Sequence, residues 1–313
     1  MIHSTTAALA GMLALLAAPA FAADDPATCE TIRLSDPGWT DINATNATAK
    51  LILDALGYDA EITTLSVPIG FEALKTGQGE VFLGNWMPSQ QAYMDDLNAA
   101  KAVEVLNRNL EGAKLTLGVT KAGADLGVKD YADLDAHKDA FGGQILGIEA
   151  GASANQKIAA MIAADQFGLG DWELVETSEQ AMLAQVARND QEGKPTVFLA
   201  WEPHSMNTQF DITYLSGGDE VFGPNYGGAE VFTVARAGWA EQCPNAARFF
   251  KQLTFDVDAE NQMMDAILNG GESPDEAAEA WLKANPDAIG PWLDGVTTLD
   301  GQPGLEAVQA ELG

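Results

Sequence analysis

Apolar and polar positions along this chain follow two rhythms that trade places. Short runs rich in aliphatic and β-branched residues, at 31–35, 60–65 and 80–83, read as strands. Between them, apolar residues recur at helical spacing. In 43–56, Ala47, Leu51, Ile52, Ala55 and Leu56 share one face, and shorter helices are expected at 70–76 and 89–100. A second set follows, with strands predicted at 115–119, 144–148, 196–201, 212–215 and 231–235. Helices are predicted to start near 131 and to span 153–167 and 178–190, and the end is largely helical, at 244–253, 259–269 and 274–284. Such alternation predicts an α/β fold whose strands, largely parallel, are covered by helices. No internal repeat or low-complexity tract interrupts it.

The first residues change the picture of the compartment. An unbroken run of apolar and small residues over 9–18 leads to Ala20-Phe21-Ala22, a small-x-small cleavage site. Residues 1–22 therefore read as a signal peptide cut after Ala22, leaving a soluble periplasmic protein. An uncleaved anchor is the alternative, but the run is shorter than the ~20 residues a spanning helix needs. With 16 basic against 46 acidic residues the formal charge is −30, which argues against nucleic acid or an anionic membrane as partner. The two cysteines, Cys29 and Cys243, read as a disulfide in an oxidising compartment, with two unpaired buried thiols as the alternative. That bridge would place both ends of the chain in one lobe, 23–112 plus 212–313, with a second lobe, 113–211, inserted. A chain crossing twice between α/β lobes makes a hinged cleft.

Enzymatic signatures are lacking. There is no G-x-S-x-G elbow, H-E-x-x-H, C-x-x-C or phosphate loop, and no calcium-loop spacing, so neither a metal nor a cofactor is expected. His204, close to Glu202 and Ser205, is the one hint of acid–base chemistry. Three of the seven tryptophans instead stand at or just past the ends of predicted strands: Trp39, Trp86 and Trp201. In open α/β sheets the ligand crevice lies at those ends. Indole faces from two lobes would suit a methylated onium head, which donates no strong hydrogen bond but is attracted to the ring quadrupole. Asp41, two residues after Trp39, could add charge or accept from a hydroxyl. The competing reading for a strand-end tryptophan is packing, the role expected for Trp172, Trp239, Trp281 and Trp292.

The segments Ser35-Asp36-Pro37-Gly38-Trp39-Thr40-Asp41, Gly84-Asn85-Trp86-Met87-Pro88, Trp201-Glu202-Pro203-His204 and Phe222-Gly223-Pro224-Asn225-Tyr226-Gly227-Gly228 resemble the choline and glycine-betaine binding proteins of ABC importers. The resemblance spans nearly the whole mature chain. It implies a two-lobed periplasmic-binding-protein fold of type II, two mixed sheets flanked by helices around a hinge cleft. It further implies an onium ligand caged by Trp39, Trp86 and Trp201 with Asp41 beside it. The implied partners are a membrane permease and, through it, an ATPase, served by a monomeric carrier that makes and breaks no bond. Two positions depart from the choline pattern: Leu115 stands where a tyrosine wall is expected, and Ala152 where an asparagine is expected. Those departures move dimethylsulfoniopropionate and glycine betaine up beside choline as expected ligands. Ser153, Asn155, His204 and Asn207 are the candidate partners for a carboxylate tail. The rival readings are an exported hydrolase of choline esters and a binding protein for an amino acid such as proline. A chemosensory receptor's binding partner would use the same cleft.

Overall fold

The computed structural model describes residues 25–313, so the predicted signal peptide lies outside the described residues. Nine strands are described: β1 (Thr31–Asp36), β2 (Asp59–Thr64), β3 (Val81–Met87), β4 (Val103–Val119), β5 (Gln144–Leu146), β6 (Glu173–Val175), β7 (Val197–Glu202), β8 (Thr213–Tyr214) and β9 (Gly228–Arg236). They form one ladder in the order β2-β1-β3-β9-β4-β7-β5-β6, with β8 beside β4. The fold is mixed α/β, as expected, and the two sheets are joined into one through β4.

The ladder has two similar halves. β1 pairs in parallel with β2 and β3, and β5 pairs in parallel with β6 and β7. The inner strands β3 and β7 are buried almost throughout and read as near-continuous apolar runs, Val81-Phe82-Leu83 and Val197-Phe198-Leu199-Ala200-Trp201. Each carries a tryptophan at its next-to-last position, followed two residues on by a cis proline (Met87–Pro88 and Glu202–Pro203). β9 runs antiparallel to β3.

β4 belongs to both halves. Its first part, from Val103 to Lys114, pairs with β9, and its last part, Lys114 to Val119, pairs with β7. Register shifts at three places along the β9 pairing mark bulges, which bend a strand and raise its twist. They also break the two-residue alternation, so residues 103–114, which include Asn107, Arg108, Asn109 and Gly112, do not read as a strand in the sequence. β8 pairs with Gly118 and Val119 and so stays with the second half.

Helices flank the sheet and start where caps are available. Ser178 caps the helix Glu179–Gln191, Asp256 caps Val257–Leu268, and Ser273 forms a capping box with Glu276 ahead of Pro274–Ala284. The helix expected from residue 131 is not formed. Tyr131–Asp133 and Asp135–His137 are single 3-10 turns, because the Tyr131 side chain is drawn into the core, its hydroxyl 2.8 Å from Thr116 Oγ1 and accepting Leu117 N–H at 3.1 Å. The helix predicted over 153–167 stops at Ala163, and Asp165 and Phe167 take left-handed backbone.

Cys29 and Cys243 form the expected disulfide, with Cα atoms 5.7 Å apart and 214 residues between them in sequence. Next to it the Asp25 carboxylate accepts the N–H groups of Asn245 (2.7 Å) and Ala246 (2.9 Å), orphan donors at the start of the helix Pro244–Gln252, and the Tyr58 hydroxyl (2.7 Å). The start of the described chain is thereby tied to the helix Pro244–Gln252 near the N-terminal end of β1. No helix among the described residues is long and apolar enough to cross a membrane.

Candidate functional site

The site lies at the opposite, C-terminal ends of β1, β3 and β7. After β1 the chain turns sharply: Asp36 Oδ1 accepts Gly38 N–H (2.6 Å), Asp36 Oδ2 accepts from Asn43 Nδ2 (2.8 Å), and Gly38 takes φ +90°. This turn sets Trp39 just ahead of the helix Thr40–Ala55 and puts Asp41 in its first turn. Trp86 and Trp201 come from the ends of β3 and β7, and Leu115 stands directly opposite Trp201 in the β4–β7 ladder. Residues directly opposite in a ladder share a face, which is why β4 supplies a wall here.

These residues line a small, partly open cavity of about 30 Å³. Trp39, Trp86 and Trp201 line it together with Asp41, Leu115, Ala152 and Ser153. Ile148 and Ala154 complete the lining and carried no signal in the sequence beyond being apolar. Among the described residues no Lys or Arg lines the cavity.

Two tryptophans have their polar edges satisfied by carboxylates, which leaves the ring faces for apolar contact. Trp86 Nε1 donates to Asp41 Oδ2 (3.1 Å), and Trp39 Nε1 donates to Glu149 Oε2 (2.9 Å). The other oxygens, Asp41 Oδ1 and Glu149 Oε1, are buried and accept no hydrogen bond from the protein. An unpaired buried acceptor is costly, more so when charged. Burial, and then the charge of Glu179, push the Asp41 carboxyl up to about 7, against the N–H donors of Ile42 and Trp86. Burial likewise pushes Glu149 up to about 7, with the Trp39 indole opposing and Glu179 and Glu176 adding to the rise. Burial also raises Asp36. The cavity is therefore short of positive charge. No spacing rule points to Glu149 or Glu179, since Trp39 and Thr40, which they hold, stand 110 and 139 residues earlier.

The proposed carboxylate-binding residues are placed differently from the expectation. His204 does not face the cavity. Its Nδ1 accepts Met206 N–H (2.9 Å), so the ring carries its proton on Nε2, 3.1 Å from Glu179 Oε1. The ring also meets Trp201 edge-on at 4.7 Å between centroids. Asn155 lies behind the wall, where its amide accepts from Ile148 N–H and donates to the carbonyls of Ile148 and Glu149 and to Glu176. Asn207 donates to the carbonyls of Trp201 and His204 and accepts from Tyr214. Only Ser153 reaches the cavity, its Oγ 2.9 Å from Ser89 Oγ. The Ser205 hydroxyl is buried without a partner, and both nitrogens of the neighbouring His204 ring are already engaged, so the two do not form a nucleophile–base pair.

Two parallel three-strand groups meeting at a cavity at their strand ends are the arrangement shared with ABC-type substrate-binding proteins. Within that class, the chain belongs to the family described as the substrate binding domain of ABC-type glycine betaine transport systems, whose sequence pattern matches residues 30–284. Members of this family bind a small molecule and deliver it to an importer's permease; they are transport proteins rather than enzymes. An ABC-transporter choline binding protein in complex with choline superposes with a TM-score of 0.91 at 53% identity, covering 92% of this chain and 100% of that one. The same kind of protein in an unliganded semi-closed conformation gives 0.84. The glycine betaine/carnitine transport binding protein of Listeria monocytogenes is 34% identical over 54% of this chain and 56% of its own length. The glycine betaine/proline betaine-binding periplasmic protein of Escherichia coli is 24% identical over 94% of this chain and 98% of its own.

Proposed function

We propose that this chain captures a small methylated onium cation in the periplasm, holds it between the indole faces of Trp39, Trp86 and Trp201, and hands it to an ABC permease. The observation that carries this reading is a cavity walled by three tryptophans, with the unpaired Oδ1 of the Asp41 carboxylate beside it and no basic side chain in its lining. An onium head supplies the missing positive charge, and a hydroxyl on the same molecule supplies a donor for Asp41 Oδ1. That combination describes choline. Capture follows closure of lobes 23–112 plus 212–313 and 113–211 about the shared strand β4.

Glycine betaine and dimethylsulfoniopropionate are the second reading. Leu115, in place of an aromatic wall, removes one π face that would favour choline, and an Asp41 carboxyl held near 7 is protonated often enough to donate to a ligand carboxylate. Proline would need a cationic clamp that the cavity lacks, and a hydrolase would need an activated nucleophile.

The two onium classes predict pH dependences of opposite sign. A cation is favoured by ionised Asp41 and Glu149, so choline binding tightens as pH rises through 7, by about tenfold between pH 6 and 8 for each carboxyl that must ionise. A zwitterion whose carboxylate meets Asp41 needs the proton and binds more tightly at pH 6. Calorimetric titration with choline, glycine betaine, dimethylsulfoniopropionate, trimethylamine N-oxide and proline at both pH values checks this. Absence of heat with every onium would overturn the ligand reading.

Alanine at Trp39, Trp86 or Trp201 is expected to cost at least about 1–2 kcal/mol of binding, the scale of one desolvated cation–π face. That is roughly 5- to 30-fold in Kd by the same titration. Unchanged affinity in all three variants would refute the cage.

A further inference from the structure

Glu179 is a buried carboxylate outside the lining of the tryptophan cavity, with the His204 ring as its basic neighbour at 3.1 Å. It is 1% exposed, and it sits at the first position of the helix Glu179–Gln191. Its two oxygens reach out of their own half of the sheet. Oε2 accepts Thr40 N–H (3.1 Å), Oε1 accepts the Thr40 hydroxyl, and Oε1 also receives the His204 Nε2 proton. Thr40 begins the helix Thr40–Ala55, whose preceding residue, Trp39, provides no side-chain cap. The N–H of a helix's first residue has no partner inside the helix. Glu179 therefore caps that helix from 139 residues away in sequence, with the positive ends of two helix dipoles converging on one carboxylate.

We propose that Glu179 is the latch of the closed cleft, a positioning residue that completes the cap on the helix Thr40–Ala55 only when the two lobes are shut. The inference rests on the binding reading above. Other bonds cross at the same seam: Trp39 to Glu149, Ser89 with Ser153, and Gln180 to the Gly38 carbonyl. Glu179 differs from them in gripping the helix that carries Asp41 and follows Trp39 directly. Opening would return the Thr40 donors to water and leave Glu179 with His204 alone. His204, oriented by Met206 N–H, holds the carboxylate on the second lobe in line for its catch. The latch then acts after capture: it slows release and leaves entry into the open cleft alone.

The test is stopped-flow tryptophan fluorescence of choline dissociation, with small-angle scattering of the same samples, on wild type, Glu179→Ala, Glu179→Gln, Thr40→Val and Thr40→Ser. Dissociation is expected to quicken about 10- to 100-fold in Glu179→Ala, with association within about threefold of wild type, since interface changes act mainly on off-rates. Glu179→Gln, which brings an amide donor to face a donor, should fall between. Thr40→Val, which keeps the N–H alone, should quicken release less than Glu179→Ala, and Thr40→Ser, which keeps both donors, should restore the wild-type rate. A merely structural role would instead lower the ligand-free melting temperature of Glu179→Ala and slow association too. Wild type that binds choline while Glu179→Ala releases it at the same rate would overturn the latch and leave the ligand reading standing. Wild type that binds no onium yet is more compact in solution than Glu179→Ala would overturn the ligand reading and support the latch. Equal scattering in that case would overturn both.

Discussion

Asp41→Asn is expected to weaken choline binding about 100-fold at pH 8 in calorimetric titration. Asparagine keeps an acceptor for the Trp86 indole N–H, so the ring stays where it is, while the charge facing the onium is lost. Removing one partner of a buried charge pair costs about 2–5 kcal/mol, and 2.7 kcal/mol is about 100-fold. The pH dependence of choline binding should shrink with it, leaving Glu149's share. A second readout separates a ligand-facing acid from one that merely supports the fold. The Asp41 carboxyl is held at about 7, above its ordinary value of 3.8, so its contribution to ligand-free stability is full below pH 4 and is lost as pH rises through 7. The ligand-free Asn variant should therefore melt at or above the wild-type temperature at pH 8. A variant that melts lower and binds choline normally would assign Asp41 to the scaffold.

The largest expected effect on stability is at the other end of the sheet. Cys29→Ser with Cys243→Ser removes a link across 214 residues. On the chain-entropy account such a loop stabilises by about 5 kcal/mol, or roughly 10 °C in melting temperature for a chain of this size. Choline affinity at 25 °C should change little, because the bridge sits at the N-terminal end of β1 and the cavity at its C-terminal end. Thermal unfolding followed by circular dichroism, with and without reductant, checks both statements. An unchanged melting temperature would mean that the Asp25–Tyr58–Asn245 network alone holds the two ends together.

What could be read from the sequence had local causes. β1, β3 and β7 are short apolar runs ending in a turn, so the tryptophans that follow them were visible, and with them most of the cavity. The cysteine pair was visible because only two exist. What stayed hidden depends on distance. Glu149 and Glu179 matter through Trp39 and Thr40, 110 and 139 residues earlier, and no spacing rule links them. His204 is conspicuous in the sequence, but the Glu179 carboxylate it meets is near it only in space. The first part of β4 was masked by bulges that upset its alternation. Tyr131, read as the start of a helix, is pulled inward by hydroxyl bonds to Thr116 and Leu117.

β4 is the one strand that pairs with both halves of the ladder, and it carries Leu115 next to the point, Lys114, where its partner changes from β9 to β7. On the proposed closure about β4, a guest pressing on Leu115 would press on the joint itself. Girth and angle would then become a single variable, and the cleft would work as a caliper, reading a cargo too bulky for the jaws as a gap.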